Sequence, residues 1–271
     1  MNSIKKMMLS GALGCLISGM AYADGSSPQP VKPYWQDIQV VAVNKEKPRS
    51  SFMSYADRET ALTSRFEKSP YYSLLNGTWK FFFVDSYKDL PQNITDPSVN
   101  TSSWDDITVP GNWEVQGHGV AIYTNHGYEF KPRNPQPPLL PEANPVGVYR
   151  RDIEIPASWD NRDIYLHIGG AKSGLYVYLN GKEVGYSEDS KNPAEFLINK
   201  YLQPGKNVLT LKIFRWSTGS YLECQDFWRM SGIERDVFLW SQPKASIQDF
   251  RVVSTLDDTY TNGIFKLAVD L

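Results

Sequence analysis

The chain has 271 residues, which is enough for one large β domain and part of a second domain. Hydrophobic residues make up 41% of it and aromatic residues 13%, so a substantial core is expected. The net charge of −2 at neutral pH argues against the basic face of a nucleic-acid-binding protein, and we expect no nucleic-acid partner.

Residues 1–23 have the pattern of a signal peptide. Lys5 and Lys6 supply the positive start, and Ala21-Tyr22-Ala23 is a cleavage site with small residues at its first and third positions. Residues 7–20 between them are apolar, but this stretch is too short and too rich in glycine for a membrane span. The pattern therefore predicts a periplasmic or secreted protein with no membrane span.

Cys15 offers an alternative, in which the protein is a lipoprotein attached through this cysteine. We rank this second because Ala12 stands where lipidation signals usually carry leucine. After cleavage Cys224 would be the one remaining cysteine, so no internal disulfide is expected. Residues 24–50 should then form an extended N-terminal lead-in, which starts with a Ser- and Pro-rich stretch.

Strand patterns dominate the chain after one short helix predicted for Asp57–Lys68. Asn180-Gly181 separates two of the strands and is the dipeptide best suited to a type I′ hairpin turn. The predicted strands are Lys80–Val84, Asp163–Ile168, Leu175–Leu179, Lys182–Tyr186, Val208–Phe214 and Val237–Trp240. Many short strands separated by Gly, Asn and Pro predict an all-β fold built as a β-sandwich.

Alternation assigns faces to two of these strands. In the 163–168 strand the apolar positions 164, 166 and 168 share one face, and in the 208–214 strand positions 209, 211 and 213 point inward. Thr210 and Lys212 are therefore predicted to point outward. The Pro-rich segment from Pro132 to Pro145 lacks amide donors at its prolines, so we expect it to be an ordered loop across the sandwich.

A second unit is expected to begin near Lys244. Ile247–Ser254 and Gly263–Leu271 are predicted as the first two strands of an immunoglobulin-like sandwich. Such a domain needs roughly 100 residues, so residues 244–271 would be only its truncated start. We therefore interpret the chain as a fragment of a longer reading frame.

The stretch RWSTGSYLECQDFWRMSGIERDV, residues 215–237, mixes charged, aromatic and glycine residues in a way that no simple amphipathic element requires. Glu223 and Asp226 stand among aromatic residues, and a buried carboxylate needs a partner. The same stretch supplies three candidates, and we predict that the partners are Arg215, Arg229 and Arg235.

Together with VPGNWEVQGHGVAIYTN (residues 109–125) and GYSEDSKNPAEF (185–196), this stretch resembles the sugar-binding domain of the large bacterial β-galactosidases of glycoside hydrolase family 2. Shorter matches are PRSSF, LNGTWKF and NPVGVYRRD, and all of them follow the family order. The resemblance implies a galactose-binding-like jelly-roll over residues 51–243. It also implies a retaining β-galactosidase whose (β/α)₈ barrel lies outside this chain.

The resemblance implies two substrate-binding residues, Asn125 of the IYTN motif and Asp189 of the EDS motif. A carboxylate accepts hydrogen bonds from neighbouring sugar hydroxyls, and an amide both donates and accepts. By the same resemblance Asp189 would bind sodium, and magnesium would belong to the missing barrel. From the residues alone, Asn125 could equally be a turn residue and Asp189 a local cap.

No catalytic residue is expected in this chain. Retaining glycosidases need two carboxyl groups about 5–5.5 Å apart. Glu188 and Asp189 would point to opposite faces of an extended segment, and Glu223 with Asp226 are expected to pair with arginines. The family's catalytic glutamates lie on the barrel, so the chain alone should be inactive.

Other functions stay open at this point. One alternative is a stand-alone, non-catalytic carbohydrate-binding module, and another is a β-glucuronidase or β-mannosidase of the same family. The IYTN and EDS motifs favour the galactosidase branch. The expected partners are a galactoside, the missing catalytic barrel and further copies of the full-length enzyme in a homo-oligomer. The three histidines lack the spacing of a zinc site.

Overall fold

The computed structural model describes residues 32–130 and 134–271. The predicted signal peptide, Cys15 and the first part of the 24–50 lead-in lie outside the described residues, as does Pro132 at the start of the Pro-rich segment. In the part of the chain that is described, no helix is long and apolar enough to cross a membrane.

The described residues are folded almost entirely as β-structure. In chain order the strands are β1 (Ala42–Val43), β2 (Tyr72–Leu74), β3 (Gly77–Val84), β4 (Asp105–Val109), β5 (Gly111–Asn112), β6 (Ile122–Thr124), β7 (Val146–Glu154), β8 (Arg162–Ile168), β9 (Ala171–Lys172), β10 (Gly174–Leu179), β11 (Lys182–Ser187), β12 (Ala194–Leu197), β13 (Lys206–Phe214), β14 (Phe227–Arg229), β15 (Gly232–Ile233), β16 (Val237–Pro243), β17 (Asp249–Leu256) and β18 (Gly263–Asp270). Short 3₁₀ segments are Tyr34–Gln36, Phe66–Lys68, Tyr87–Asp89, Glu114–Gln116, Ala157–Trp159, Asn199–Tyr201 and Thr218–Tyr221. The predicted all-β fold is confirmed.

The predicted helix over Asp57–Lys68 is shorter than expected. The helix α1 covers Arg58–Leu62 and is capped by the Asp57 carboxylate, which accepts from the Thr60 amide at 2.8 Å. Ser64 takes a positive φ of 53°, which ends the helical path, and the chain resumes as the 3₁₀ segment at residues 66–68.

Two antiparallel sheets form the sandwich. The larger has the strand order β1-β11-β10-β13-β7-β3-β4, and the smaller has the order β12-β8-β16-β2. The core between them contains the inward residues of β8 and β13 that alternation predicts, which are Ile164, Leu166, Ile168, Leu209, Leu211 and Ile213. The β-sandwich is thus built on the alternation visible in the sequence.

The other face of β13 is covered rather than exposed. Thr210 points away from the core, as predicted, but it is only 1% exposed. Arg150 donates from Nε to Thr210 Oγ1 at 3.2 Å and from Nη2 to the carbonyls of Ile94 and Asp96 at 2.8 and 2.9 Å, which ties a loop across this face. Lys212 is half-buried, with its ammonium 4.8 Å from the centre of the Tyr176 ring. The larger sheet is therefore packed on both sides.

The predicted hairpin turn is confirmed. Asn180 and Gly181 have φ angles of 53° and 78°, the left-handed values that a type I′ turn requires, and they join β10 to β11. The Asn180 side chain accepts from the Val208 amide at 2.9 Å and donates to the Tyr201 carbonyl at 3.0 Å. The turn is thereby fixed to the neighbouring strand.

Two small sheets bring the sequence motifs together. The strand β15 pairs with β5 on one side and β9 on the other, and β14 pairs with β6. The motif at residues 109–125 therefore lies beside the motif at residues 215–237. These pairings position the candidate site described below.

The last two strands form a separate hairpin, with pairs running from Asp249–Asp270 to Leu256–Gly263. This confirms the two strands predicted near the C-terminus. Ser50 attaches the hairpin to the rest of the chain, since its amide donates to Asp249 Oδ1 and its hydroxyl to the Phe250 carbonyl, both at 2.8 Å. It stays a prediction that this hairpin is the start of an immunoglobulin-like domain.

Residues 44–53, here called the strap, cross the outer face of the smaller sheet. Asn44 Nδ2 donates to the Val184 carbonyl and the Glu46 amide to the Glu195 carbonyl, both at 2.9 Å. Arg49 lies with its guanidinium carbon 4.3 Å from the centre of the Trp240 ring. The strap is thus fixed to β11 at Asn44, to the edge strand β12 at Glu46 and to Trp240 of β16 at Arg49.

Glu195 is the charged anchor of the strap. Its carboxylate accepts from Arg49 Nε at 3.0 Å, Arg49 Nη2 at 3.1 Å, His167 Nδ1 at 2.8 Å and Trp240 Nε1 at 3.1 Å. Burial acts to raise the pKa of Glu195, but the hydrogen bond from His167 and the charge of Arg49 outweigh it, so the pKa is lowered. The Glu195 carboxylate is therefore ionised at neutral pH.

The anchor predicts a specific dependence of stability on pH. Because the folded pKa of Glu195 lies below its ordinary value of 4.5, its contribution is complete above that value and is lost as the pH falls through the folded pKa. We expect Glu195→Gln to cost about 3–5 kcal/mol of unfolding free energy at neutral pH, because Arg49 loses its buried counter-charge. Thermal unfolding at a series of pH values should show this difference from wild type shrinking below pH 4.5.

The exposed pair Arg65–Glu67 supplies the control, since its side chains are 62% and 53% exposed. Glu67→Gln should change the melting temperature little at neutral pH. A Glu195→Gln deficit that persisted undiminished into acid would contradict the assignment.

Candidate functional site

The two predicted substrate ligands, Asn125 and Asp189, are both exposed. Asn125 follows β6, and its Oδ1 lies 2.7 Å from His126 Nδ1. Asp189 lies between β11 and β12 in the left-handed region, with a φ of 70°, and both of its carboxylate oxygens accept from Asn192 Nδ2 at 3.0–3.1 Å. Asn125 thus lies in a bend and Asp189 in the connection between two strands, and both present polar atoms to solvent.

Glu223 holds the residue that follows Asp189. Its carboxylate accepts from the Ser190 amide at 2.7 Å and from the Ser190 hydroxyl at 2.6 Å. Ser190 is itself completely buried. The backbone on one side of Asp189 is therefore fixed by a two-point contact with a charged acceptor.

Arg229 holds the residue that precedes Asn125. Its guanidinium is 1% exposed and donates to the Thr124 carbonyl at 3.2 Å and to the Glu223 carbonyl at 3.3 Å. Glu129 Oε2 lies 3.8 Å from Arg229 Nε and supplies the counter-charge. Glu223 and Arg229 together, here called the bridge, connect the residue before Asn125 to the residue after Asp189.

Glu188 fixes Asp189 from its other side. The Glu188 carboxylate is buried and accepts from Tyr186 Oη at 2.7 Å, from Thr218 Oγ1 at 2.9 Å and from the Gly219 amide at 2.5 Å. Burial raises the pKa of Glu188 even though these hydrogen bonds act to lower it. Glu188 points inward and Asp189 outward, as predicted, so only Asp189 of this pair is presented to a ligand.

The predicted arginine partners of Glu223 and Asp226 are wrong. The Glu223 carboxylate accepts from the Ser190 amide, and the Asp226 carboxylate accepts from Tyr123 Oη at 2.8 Å. Arg215 instead lies 3.8 Å from Glu114, and Arg229 faces Glu129. The counter-charges come from other segments of the chain because the folded strands bring them closer than the neighbours in sequence.

Arg235, the third predicted partner, donates to the carbonyls of Gly169 and Lys191. It therefore also binds backbone rather than a carboxylate of its own motif. Its guanidinium links the loop after β8 to the segment that follows Ser190. All three arginines of the 215–237 motif thus donate to backbone carbonyl groups.

Lys172 is a buried charge that the sequence reasoning missed. It is 3% exposed on β9, with its ammonium 5.1 Å from the centre of the Phe227 ring. Burial lowers the pKa of Lys172, and the charges of Glu129 and Glu223 act in the opposite direction. A single lysine in the stretch GGAKSG, which has no other charged residue, is the feature of the sequence that could indicate a buried charge. The groups around it, Glu129, Glu223 and Phe227, lie at least 40 residues away in the chain and could not be inferred from this stretch.

Asp189 is also the residue predicted to bind sodium. An exposed carboxylate is a suitable ligand for a hard cation. Across residues 32–130 and 134–271 there is no group of three or more His, Cys, Asp or Glu side chains that could hold a metal ion. That Asp189 is a sodium ligand stays a prediction.

Comparison with known proteins identifies the family of this site. Residues 72–243 match the model described as glycosyl hydrolases family 2, sugar binding domain. A protein named β-galactosidase from Priestia megaterium is 40% identical over 242 residues, which is 88% of this chain and 23% of that protein. Another, from Psychromonas ingrahamii, is 38% identical over 237 residues, 88% of this chain and 22% of that protein. The chain thus spans less than a quarter of the length of these relatives.

Solved structures share the fold. A β-glucuronidase from an uncultured Clostridium species matches with a TM-score of 0.55 and 23% identity, covering 73% of this chain and 33% of that one. The Bifidobacterium dentium β-glucuronidase complexed with coumarin-3-O-glucuronide matches with a TM-score of 0.52 and 18% identity, over 73% of this chain and 36% of that one. At these identities the likeness shows the fold alone.

The bridge predicts a local effect on the Asp189 turn. Glu223→Gln removes the charge that accepts from Ser190, so we expect the Ser190 amide to exchange with solvent about tenfold faster. Hydrogen exchange followed by NMR measures this directly. Asp226→Asn is the matched control, because within the described residues its carboxylate is hydrogen-bonded to the exposed Tyr123 hydroxyl and not to Ser190. Equal exchange at Ser190 in both variants would show that Glu223 does not hold the turn.

Proposed function

Because the chain belongs to glycosyl hydrolase family 2, we propose that it is the N-terminal part of a retaining β-galactosidase that acts on terminal non-reducing β-D-galactosyl residues. In this proposal the chain contributes to recognition of the galactosyl group, and a (β/α)₈ barrel outside the chain carries the catalytic carboxyls. The names and greater lengths of the relatives support this assignment.

The observation that carries the proposal is the bridge. Asn125 and Asp189 are 64 positions apart in sequence, yet Arg229 contacts the residue before the first and Glu223 the residue after the second. Two exposed polar side chains are thus held on one rigid support. Asp189 would accept from two neighbouring sugar hydroxyls, while Asn125 would donate to one hydroxyl and accept from another.

The carboxylates of this region are poorly suited to catalysis, which supports a separate catalytic domain. Glu188 and Glu223 are engaged by three and two hydrogen-bond donor groups of the chain, respectively, and Asp226 is bound to Tyr123. A retaining mechanism needs two free carboxyl groups about 5–5.5 Å apart on either side of the glycosidic bond. In the proposal these side chains orient the substrate and leave bond cleavage to the barrel.

Asp189 would also contribute one ligand to a sodium ion, whose charge would help to hold a sugar hydroxyl. The other sodium ligands, and the magnesium that the family implies, would belong to the barrel. We further propose residues 51–243 as the sugar-binding domain and 244–271 as the start of the immunoglobulin-like domain. The full protein would be an exported homo-oligomer.

The substrate class is tested by assaying the full reading frame on the nitrophenyl β-glycosides of galactose, glucuronic acid and mannose. We expect the highest kcat/KM on the galactoside. A preference for the glucuronide or the mannoside would contradict the assignment. A reading frame without a barrel, combined with galactose binding by the chain alone, would favour the stand-alone carbohydrate-binding module.

The role of Asp189 is tested in the same full-length protein. Asp189→Asn exchanges a charged acceptor for a neutral one, so we expect kcat/KM on nitrophenyl galactoside to fall by about 10- to 100-fold. Asp226→Asn lies in the neighbouring motif and should leave kcat/KM unchanged. An unchanged kcat/KM and sodium response in Asp189→Asn would mean that Asp189 is only structural.

A further inference from the structure

The loop that follows β6 is fixed at two of its backbone carbonyl groups. The Thr124 carbonyl accepts from Arg229 at 3.2 Å, and the His126 carbonyl accepts from the Thr124 hydroxyl at 2.6 Å. Gly127 then takes a left-handed φ of 77°, so the chain turns at this position. The backbone that carries Asn125 is therefore held on both sides, and what remains to be set is the direction of its side chain.

One side-chain contact sets that direction. His126 Nδ1 lies 2.7 Å from Asn125 Oδ1. An amide oxygen can only accept, so Nδ1 carries the proton of this hydrogen bond, as it does in the charged ring and in one of the two neutral tautomers. Rotation of the amide by half a turn would place Nδ2 against this N–H group, with two donors facing each other. The contact therefore favours one orientation of the Asn125 amide.

This orientation leaves the Asn125 Nδ2 group available to a ligand. Within residues 32–130 and 134–271 Nδ2 has no hydrogen-bond partner, and both Asn125 and His126 are exposed. An amide that is free to rotate presents its oxygen and its nitrogen in turn, whereas a fixed amide presents one donor in one place. The held backbone and the oriented side chain thus prepare a hydrogen-bond donor before any ligand arrives.

We propose that His126 is a positioning residue, which fixes the Asn125 amide so that Nδ2 donates to a hydroxyl of the galactosyl group. The inference rests on the proposed function and deepens it, since it names the group of Asn125 that binds the sugar and the side chain that orients it. His126 acts through Asn125 and needs no contact with the substrate. The second lone pair of Asn125 Oδ1 stays free to accept from a neighbouring hydroxyl.

The contact is tested in the chain itself by NMR. At alkaline pH, where an imidazole ring is neutral, we expect His126 to carry its proton on Nδ1. The order parameter of the Asn125 side-chain amide should fall in His126→Leu, which keeps the bulk of the ring without a donor. His126→Asn, whose amide nitrogen can stand close to the position of Nδ1, should restore it.

The Asn144 side chain is the internal reference, because it is buried and donates to the Trp216 carbonyl at 2.8 Å. Its order parameter should be the same in all of these variants. A neutral His126 ring protonated on Nε2 would overturn the inference. So would an Asn125 order parameter that is equal in wild type and in His126→Leu.

The consequence for the substrate is tested by a double-mutant cycle in the full-length protein. We expect His126→Leu to lower kcat/KM on nitrophenyl galactoside by about two- to tenfold, because binding must then immobilise the Asn125 side chain. His126→Asn should recover most of this loss. In an Asn125→Ala background, His126→Leu should cause no further loss, since the group that it orients is absent. Equal losses with and without the Asn125 side chain would contradict the positioning role.

These outcomes are separable from those of the proposed function. If Asn125→Ala lowers kcat/KM but His126→Leu does not, the positioning role of His126 is contradicted while the galactosyl site stands. If Asn125→Ala leaves kcat/KM unchanged, Asn125 does not bind the sugar. The role of Asn125 in the proposed function is then contradicted, and the positioning role falls with it.

Discussion

Burial of the Arg229 guanidinium is the constraint on which the candidate site depends. A charge that is 1% exposed is tolerated only if other groups of the protein replace the water it has lost. Arg229 finds these groups in the carbonyls of Thr124 and Glu223 and in the Glu129 carboxylate. Thr124 and Glu129 belong to one segment of the chain and Glu223 to another, so these contacts of Arg229 bring the two segments together. The placement of Asn125 beside this meeting point follows from that requirement.

Three carboxylates, of which Glu188 is buried and Glu223 and Glu195 are half-buried, likewise hold other segments in place. Glu188 and Glu223 bind the residues on either side of the Asp189 turn, and Glu195 binds the strap. Asp189 can keep a left-handed φ of 70° because its neighbours are fixed on both sides. Glu188 and Glu223, which first suggest catalysis, are thus engaged by other residues of the chain, while Asp189 stays exposed. In the proposed site, such a support would hold Asn125 and Asp189 in place before a substrate binds, which would limit the entropy lost on binding.

Much of the fold was predictable from local pattern. Alternation gave the buried faces of β8 and β13, and Asn180-Gly181 gave its hairpin, because both depend only on neighbouring residues. Contacts between distant segments were not predictable in this way. The burial of Thr210 depends on Arg150 and on a loop that lies about 50 residues before Arg150 in the chain. The acidic partners of Arg215 and Arg229 are Glu114 and Glu129, each about 100 residues earlier than its arginine. Motif order pointed to Asn125 and Asp189, but only the folded strands reveal the bridge between them.

The proposed function requires Asn125 and Asp189 to form one wall of a galactosyl pocket. The most direct measurement is a crystal structure of the full-length protein with galactose bound. We expect both side chains to lie within hydrogen-bonding distance of the same sugar ring, with the bridge unchanged beneath them. A ring bound at the catalytic carboxyls that contacted neither side chain would contradict it.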